Sequence, residues 1–317
     1  MVSLFGTDPA NYVSHALHAD DRAYPETNCY ADILIELLHA RGDEPLAALG
    51  RTVRTDFEGD QWTFFKPDPH DLEELFGLDI HEAQPYRPLP EQIEEQLEDG
   101  RTLIVELDSW FLPDTESTAY RREHVKSSAV MEAIDVRAKR LHYFHNRGLY
   151  ELAGDDFDGA LRVGIDPDSD RLPPYAEVVR FDAGTQLDGD RLRSEALARL
   201  RYHFERRPAA NPFTRFASAL ADDLPALLEQ SHADYHAYAF ATVRMAGSAF
   251  ELCGAHVAWL FGDDGSAAVQ ALARIVSGSK ALSFKLARRR AFDPQPVLGE
   301  LAEAWDESFA ELARLLG

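Results

Sequence analysis

The spacing of apolar residues changes partway along the chain, and this change constrains the fold more than any other feature. From residue 191 onward, long stretches repeat apolar residues with a period of about 3.6, which is typical of α-helices. In the first 165 residues, helical stretches alternate with short runs in which every second residue is apolar, as in β-strands. The residues between are rich in Asp, Pro and Gly. The pattern predicts an α+β domain over 1–165, a connecting segment over 166–190 and a helical domain over 191–317.

Local signals predict individual elements. The stretch ADILIELLHARG has helical spacing directly after Cys29, and Gly42 suits a left-handed helix end. The stretch Tyr235–Phe261 is apolar on nearly all sides, so it is predicted as the central helix of a bundle, broken or capped near Gly254 or Gly262. Further helices are predicted in DPHDLEELFGL and EQIEEQLEDG. Strands are predicted in DQWTFFKP, RTLIVELDSWFL, 126–136, 140–145, 149–152 and, within the connecting segment, AEVVRF.

Composition narrows the function classes. With 55 acidic against 32 basic residues, the formal charge of −23 disfavours binding to nucleic acid. No apolar run reaches the roughly 18 residues of a membrane span, and no secretory signal is visible. The two cysteines do not indicate a framework of disulfide bonds, and they favour a reducing cytosol as the location of the protein. The sequence therefore predicts a cytoplasmic protein without nucleic-acid or membrane partners.

Cys29 is the residue whose position most suggests chemistry. It stands where a helical pattern begins, and the free N–H groups of a helix N-terminus favour a thiolate. The same groups can hold an oxyanion, with the Asn28 amide as a second donor. A nucleophilic cysteine also needs a base and a residue that orients the base. His124, before a predicted strand, and Asn146, after the next strand, are the candidates for these two roles.

Each of these residues also has a structural interpretation. A lone cysteine on a helix is most often a small buried residue, and Cys253 is predicted to be of that kind. A histidine at a strand end is often only a hydrogen-bonding residue, and Asn146 before Arg-Gly is also a turn signal. The residues alone leave the catalytic and structural interpretations of Cys29 open.

No metal or nucleotide site is predicted. Two pairs of histidines stand three residues apart, His15 with His18 and His142 with His145, but neither has neighbours of a recognised ligand spacing. Strand alternation would also point the His142 and His145 rings to opposite faces. A glycine-rich phosphate loop of the familiar kinds is absent from the sequence.

Four stretches resemble a bacterial family designated domain of unknown function 1839. They are NCYADILIELLHARGDEPLAAL, FEGDQWTFFKPDPHDLEELFGLDIHE, LPDTESTAYRREHVKSSAVMEAID and LHYFHNRGLYEL. The resemblance covers most of the first 165 residues, and the helical half is similar to the same family with less distinctive motifs. This family brings no settled activity with it.

A more distant resemblance concerns the stretch GRTLIVELDSW…EHVKSSAVMEAIDVRAKRLHYFHN. It is similar to papain-like domains of double-glycine-leader peptidases and of the butirosin-biosynthesis acyltransferases. The resemblance implies a papain-like core, a catalytic helix packed on an antiparallel sheet, followed by a helical bundle. It implies Cys29 as nucleophile, His124 as base and Asn146 as orienting residue. Ala23 stands where such enzymes carry an oxyanion glutamine, so Asn28 or Gln61 would have to replace it.

The function implied by this resemblance is a cysteine-dependent acyltransferase. The acyl group would be held as a thioester on a carrier protein. It would pass through Cys29 to a small amine or amino-acid acceptor. No bound cofactor is expected, apart from a phosphopantetheine arm on the carrier protein. A peptidase or amidase with the same residues, and a non-catalytic binding protein on the same core, are the alternatives.

Further residues are predicted to bind substrate or partner. The basic island SFKLARRRAF would dock an acidic carrier protein, although a clamp on the protein's own acidic surface or a solvated helix face explains it as well. Arg121, Arg122 and Lys126 flank His124 and suit a carboxylate or phosphate. Four further candidates would line the cleft, and a place in the core explains each of them equally well: Tyr24, Trp62, Lys66 and Trp110. The complete candidate set is Tyr24, Trp62, Lys66, Trp110, Arg121, Arg122, Lys126, Lys285, Arg288, Arg289 and Arg290.

Overall fold

A computed structural model describes residues 1–164, 173–182 and 184–317. The chain forms two compact units, each built from separated pieces of sequence. The first, here the sheet unit, comprises Met1–Ala19, Cys29–Pro45 and Pro69–Leu187. The second, here the helical unit, comprises Asp20–Asn28, Leu46–Asp68 and Asp188–Gly317.

One antiparallel sheet organises the sheet unit. Within the described residues it has seven strands in the order β2-β7-β3-β4-β5-β6, with β1 paired to β4. The strands are β1 (Val2–Ser3), β2 (Leu78–Ala83), β3 (Thr102–Asp108), β4 (Lys126–Asp135), β5 (Arg140–His145), β6 (Gly148–Ala153) and β7 (Ala176–Phe181). The fold is therefore mixed α+β, as the sequence predicted.

Helices pack on both faces of this sheet. They are α1 (Cys29–Arg41), α2 (Pro69–Phe76), α3 (Leu89–Glu98) and α4 (Asp155–Ala160). One face of the sheet, which includes Ala129, Met131 and Tyr143, packs against apolar residues of α3 and α4. Strand alternation turns Ser128 and Val130 of β4 to the opposite face, where α1 packs against β4, β5 and β6.

Helix α1 confirms the prediction made from its sequence. It begins at Cys29 and ends at Arg41, and Gly42 follows with φ of 88°, the left-handed conformation that ends many helices. Every residue from Tyr30 to Leu38 is buried, including the carboxylates of Asp32 and Glu36. Buried carboxylates need partners, and those of Glu36 come from the N-terminal segment, as described below.

The N-terminal segment is joined to β4 through Glu132. The Glu132 carboxylate is buried and accepts hydrogen bonds from the backbone N–H groups of Phe5 (3.1 Å) and Thr7 (3.0 Å). Burial raises the pKa of Glu132 to about 7, because these hydrogen bonds to the charged form only partly offset the lost hydration.

This raised pKa predicts a stability that depends on pH. A carboxyl with a higher pKa in the folded state stabilises the fold fully below its unfolded pKa of about 4.5, and the contribution is lost as the pH rises through about 7. The Glu132→Gln variant should lose less stability than the wild type between pH 4.5 and 7, by on the order of 3 kcal/mol. Urea denaturation at pH 4.5, 6 and 7.5 measures this, with exposed Glu98→Gln as control. If the free energy of unfolding changed equally with pH in all three proteins, the prediction would be contradicted.

The helical unit contains α5 (Gly189–Phe204), α6 (Pro212–Glu229), α7 (His232–Ala239), α8 (Met245–Phe261), α9 (Ser266–Ala287) and α10 (Gln295–Leu316). Their apolar faces form one continuous core. Trp62 lies inside this core, with its ring centroid 4.6 Å from that of Phe213. None of the described helices combines the length and the apolar character needed to span a membrane.

Two predictions for this unit need correction. The stretch DQWTFFKP is not a strand. Trp62 forms an isolated bridge with Phe57, which precedes the stretch, and its side chain anchors the segment in the helical core. The predicted central helix Tyr235–Phe261 is split by a π-helical turn, Phe240–Arg244, into α7 and α8. Gly262, with φ of 55°, ends α8 as predicted, while Gly254 lies inside it.

The predicted connecting segment contributes to the sheet. Its strand-like run AEVVRF is β7, which lies between β2 and β3 and pairs with both. Residues 166–172 and 183 of this segment lie outside the described residues. Strand β2 was not predicted, and its partner along the sheet is this distant β7.

Candidate active site of the sheet unit

A serine, a histidine and an aspartate are joined by short hydrogen bonds in the sheet unit. Ser127 Oγ lies 2.6 Å from His145 Nε2, and His145 Nδ1 lies 2.5 Å from Asp114 Oδ2. The His145 and Asp114 side chains are 1% and 3% exposed, while Ser127 is only partly buried. A nucleophile, a base and an orienting carboxylate are thus connected in one line.

The sheet register places these three residues together. Ala129 of β4 pairs with His145 of β5, and Ser127 lies two residues before Ala129, so its side chain points to the same face. Asp114 comes from the short 3₁₀ turn Pro113–Thr115, which follows β3. Its second oxygen accepts a hydrogen bond of 2.5 Å from the Tyr143 hydroxyl, which fixes the carboxylate.

The direction of these hydrogen bonds follows from the charges. A carboxylate only accepts hydrogen bonds, so an imidazole that carries one proton places it on Nδ1, toward Asp114, and leaves Nε2 to accept from the Ser127 hydroxyl. This is the arrangement in which an imidazole can remove the proton of a serine as the serine attacks a carbonyl carbon. The sequence pattern alone assigns none of these three residues a catalytic role.

Cys29 lies on the other face of the sheet. It is the first residue of α1 and partly buried, and its Sγ is 3.8 Å from Ser128 Oγ. Within the described chain, no hydrogen bond links Cys29 to a histidine. The predicted placement at a helix start is confirmed, but the partner of the thiol is a hydroxyl and not an imidazole.

His124 has a partner other than the predicted one. Its Nδ1 is 2.7 Å from Asp108 Oδ2 at the end of β3, and its ring stacks on Trp110 at 4.6 Å. The His124 side chain is 66% exposed. Ser128 is the residue that contacts Cys29, and His124 lies four positions before it, ~13 Å away along an extended chain. This distance explains why His124 does not reach Cys29.

Asn146 occupies the β5–β6 hairpin turn. Its φ is 46°, and the paired residues on either side of the turn are His145 and Gly148. This conformation is the one that the turn signal predicted. Because Asp108 holds the His124 ring, Asn146 does not fill the orienting position for which it was a candidate.

The two oxyanion candidates belong to the helical unit. The Asn28 amide donates to the carbonyl of Phe65 (2.9 Å) and is buried, so this donor is committed to a structural contact. Gln61 is exposed in the loop before Trp62, and its carbonyl accepts from the Glu58 backbone. Asn28 therefore joins two distant segments of the helical unit, and the Gln61 backbone closes the turn that begins at Glu58.

The other binding candidates fall into two groups. Tyr24 and Trp62 are core residues of the helical unit; a Cβ at Gly247 would collide with the Tyr24 ring. Lys66 is exposed in the same unit. Near β4, surface contacts hold the basic residues: Lys126 with Glu106 (2.6 Å), Arg121 with Asp156 (2.5 Å) and Arg122 with the Ser117 carbonyl (3.2 Å).

The basic island partly serves the protein itself. Arg289 donates to the carbonyls of Leu228 and Gln230 and therefore closes the end of α6. Lys285 lies 5.8 Å from the Phe292 ring. The acceptors of Arg289 are backbone carbonyls and not acidic side chains, so Arg289 does not form the predicted clamp on the acidic surface, and Arg288 and Arg290 remain exposed.

Cys253 is buried as predicted, and the His142 and His145 side chains lie on opposite faces of the sheet as predicted. Cys253 is fully buried, and burial raises the pKa of its thiol to about 12, so it is unreactive at neutral pH. His142 pairs with Glu151 (2.9 Å), whereas His145 points to the opposite face. Among the described residues, no group of three or more ligand side chains is arranged to hold a metal ion.

A buried ion cluster on α1 was not foreseen. His18 contacts Glu36 through Nδ1 and Asp32 through Nε2 (3.5 Å), and all three side chains are at most 1% exposed. Burial alone would lower the pKa of His18, but the hydrogen bonds that its ring donates to Asp32 and Glu36, with the charges of these carboxylates, outweigh burial and raise the pKa to about 9. Glu36 also accepts from the Tyr12 hydroxyl. The cluster holds residues 12–18 on α1.

Comparison with known families covers nearly the whole chain. The DUF1839 N-terminal domain matches residues 13–181, and the DUF1839 C-terminal domain matches residues 189–314. None of the curated proteins matches the sequence. The boundary between the two matches falls inside the predicted connecting segment, whereas the two compact units interleave along the chain. The protein belongs to the DUF1839 family.

Proposed function

We propose that the sheet unit is an acyl-transfer enzyme that works through a covalent acyl-enzyme, with Ser127 as nucleophile. The observation that carries the proposal is the line Ser127–His145–Asp114 with its distances of 2.6 and 2.5 Å. A serine hydroxyl is a weak nucleophile alone, and an adjacent imidazole held by a buried carboxylate is the arrangement that activates it.

The proposed reaction has two steps. Ser127 Oγ attacks the acyl carbon of an ester or thioester while its proton moves to His145 Nε2. The bond to the leaving group breaks, and the alkoxide or thiolate takes the proton from His145. An amine or a water molecule then attacks the acyl-serine and gives its proton to His145. The bond between the acyl carbon and Ser127 Oγ breaks, the Ser127 oxygen takes the proton back from His145, and the acyl product is released. Asp114 stabilises the imidazolium in both steps.

Exposed groups near Ser127 suit a substrate with a flat or anionic part. Trp110, in the 3₁₀ turn Ser109–Phe111 after β3, stacks on His124, which lies on the chain that leads into β4 and is exposed. Val125, two residues before Ser127, is 46% exposed, and its carbonyl accepts from the N–H and the hydroxyl of Ser109. These residues would contact the part of the substrate beyond the acyl carbon.

Cys29 is the second candidate nucleophile, and one observation favours it. It is the first residue of a 13-residue helix and is partly exposed, and the hydrogen-bond partner of its sulfur is Ser128 Oγ. The resemblance to papain-like acyltransferases belongs to this candidate, as does transfer from a carrier protein to an amine acceptor. Exposed Arg288 and Arg290 would then dock the acidic carrier protein, and a cytoplasmic location suits such a partner.

Two reagents distinguish the candidates. A fluorophosphonate labels an activated serine and iodoacetamide labels an activated cysteine, and intact-protein mass spectrometry counts each adduct. The proposal expects one fluorophosphonate adduct, located on Ser127 by peptide mapping. It should be absent from Ser127→Ala, slowed at least about 100-fold in Asp114→Asn, and unchanged in Ser128→Ala, the neighbouring serine on the other face.

The outcomes assign the function. Rapid iodoacetamide labelling lost only in Cys29→Ala, without any fluorophosphonate adduct, would replace the serine mechanism by the cysteine one. If neither reagent formed an adduct with wild-type protein that still showed its normal thermal melting curve, both mechanisms would be contradicted. An acyl N-acetylcysteamine thioester, tested with and without glycine, then distinguishes transfer to an amine from hydrolysis.

A further inference from the structure

An arginine-rich cleft lies within the helical unit. It has a volume of about 310 Å³ and is lined by four arginines, Arg51, Arg54, Arg206 and Arg207, and two carboxylates, Asp56 and Glu58. Arg51 pairs with Asp68 and Arg206 with Glu205, whereas Arg54 and Arg207 have no carboxylate partner among the described residues. Like charges held close together repel one another, so the two unpaired guanidinium groups favour a bound anion. The cluster is the more unexpected in a chain with a formal charge of −23.

Several guanidinium donors in this cleft remain available. Arg54 is half-buried and makes no hydrogen bond or ion pair with any described residue. Arg51 uses one Nη to reach Asp68 (2.6 Å), and Arg207 uses one to reach the Phe204 carbonyl (2.8 Å). A guanidinium carries five N–H donors, so these contacts fix the side chains and leave donors for a ligand.

The two carboxylates of the cleft are already engaged. Asp56 receives hydrogen bonds from Arg215 and from the Phe57 backbone N–H (2.7 Å). Glu58 accepts from the Thr63 hydroxyl (2.8 Å). Neither carboxylate is therefore placed to neutralise Arg54, and the positive charge of the cleft exceeds the negative charge.

Thr55 supplies an independent indication of a ligand. It lines the same cleft and is 2% exposed, and in the described chain its hydroxyl has no hydrogen-bond partner. A buried hydroxyl without a partner costs roughly 1–3 kcal/mol, and an oxygen-rich ligand in the cleft would satisfy it.

We propose that this cleft binds a phosphate monoester. The fork of N–H groups on arginine matches the oxygens of a phosphate, and a dianion balances the surplus of positive charge better than a carboxylate does. The volume suits the phosphorylated end of a small molecule. The proposal concerns a different unit from the acyl-transfer site and does not depend on it.

Isothermal titration calorimetry of the whole 317-residue chain tests this site. The probes are inorganic phosphate, glycerol 3-phosphate and acetate, each at constant ionic strength. Both phosphate compounds should bind with one site per chain, and acetate should not. Binding should weaken about tenfold or more in Arg54→Gln and in Arg207→Gln, but not in Arg191→Gln, which removes an exposed arginine of α5 outside the cleft.

Each result bears on the proposal. Tighter binding of glycerol 3-phosphate than of inorganic phosphate would identify the monoester as the ligand class, and the reverse order would replace it by free phosphate. Equal losses in all three variants would indicate general charge attraction and overturn the site. Absence of binding at millimolar phosphate would overturn it as well.

Discussion

Replacing Trp62 with alanine is expected to lower the free energy of unfolding by about 3–5 kcal/mol. Trp62 is 1% exposed, and the rings of Phe57, Phe213, Phe216 and Phe250 surround it with centroids 4.6 to 6.1 Å away. Removing the indole leaves a cavity, because the packed side chains around it can move only partly into the space. Urea denaturation followed by circular dichroism at 222 nm measures the loss.

Two variants control this measurement. Trp62→Phe keeps an aromatic ring and should cost less than half as much, because less apolar volume is removed. Phe64→Ala removes a ring that is 44% exposed only two residues away, and its effect should be within about 0.5 kcal/mol of zero. If Trp62→Ala and Phe64→Ala lowered stability equally, Trp62 would not be a core residue.

Replacing Glu36 with alanine should have a comparable effect, also about 3–5 kcal/mol, through electrostatics instead of packing. Glu36 is fully buried and accepts from His18, from the Tyr12 hydroxyl and from the His15 backbone N–H (3.1 Å). Its loss leaves a buried imidazolium with Asp32 as its remaining carboxylate neighbour. The cost is that of a buried charge without sufficient compensation.

The pH dependence of this effect separates it from a simple packing defect. A histidine whose folded pKa is raised to about 9 stabilises the fold fully below its unfolded pKa of 6.5, and the contribution disappears as the pH rises through about 9. The difference between wild type and Glu36→Ala should therefore shrink from pH 6 to pH 9.5. Exposed Glu98→Ala should show no such change. A constant difference would contradict a charged His18.

The elements of the sheet were predictable where the signal is local. Strand β5 was predicted with its observed ends, Arg140 and His145, because alternation over six residues is determined by neighbours in the sequence. Helix α1 and its glycine end were predicted for the same reason. Strand β2 was missed because its alternation, Leu78 and Ile80 against Asp79 and His81, is only four residues long, and its pairing partner β7 lies about a hundred residues later.

The candidate site was predicted only in part. The start of α1 at Cys29 follows from local sequence, but the partner of its thiol depends on the register of β4. Ser127 and His145 lie on the same face of the sheet because of that same register. The register could have been predicted from a β4–β5 hairpin with its turn at residues 137–139. Asp114 comes from a 3₁₀ turn with no periodic signal, so its place beside His145 required three-dimensional coordinates.

The interleaving of the two units limits how this protein can be recombined with its relatives. The core of the helical unit needs Trp62 from a segment that precedes most of the sheet unit in sequence. A chimera joined at residue 189, where the second family domain begins, would therefore pair helices from one parent with a tryptophan loop from another. Crossovers that keep residues 20–28, 46–68 and 188–317 from a single parent preserve the packed core, whatever the source of the sheet.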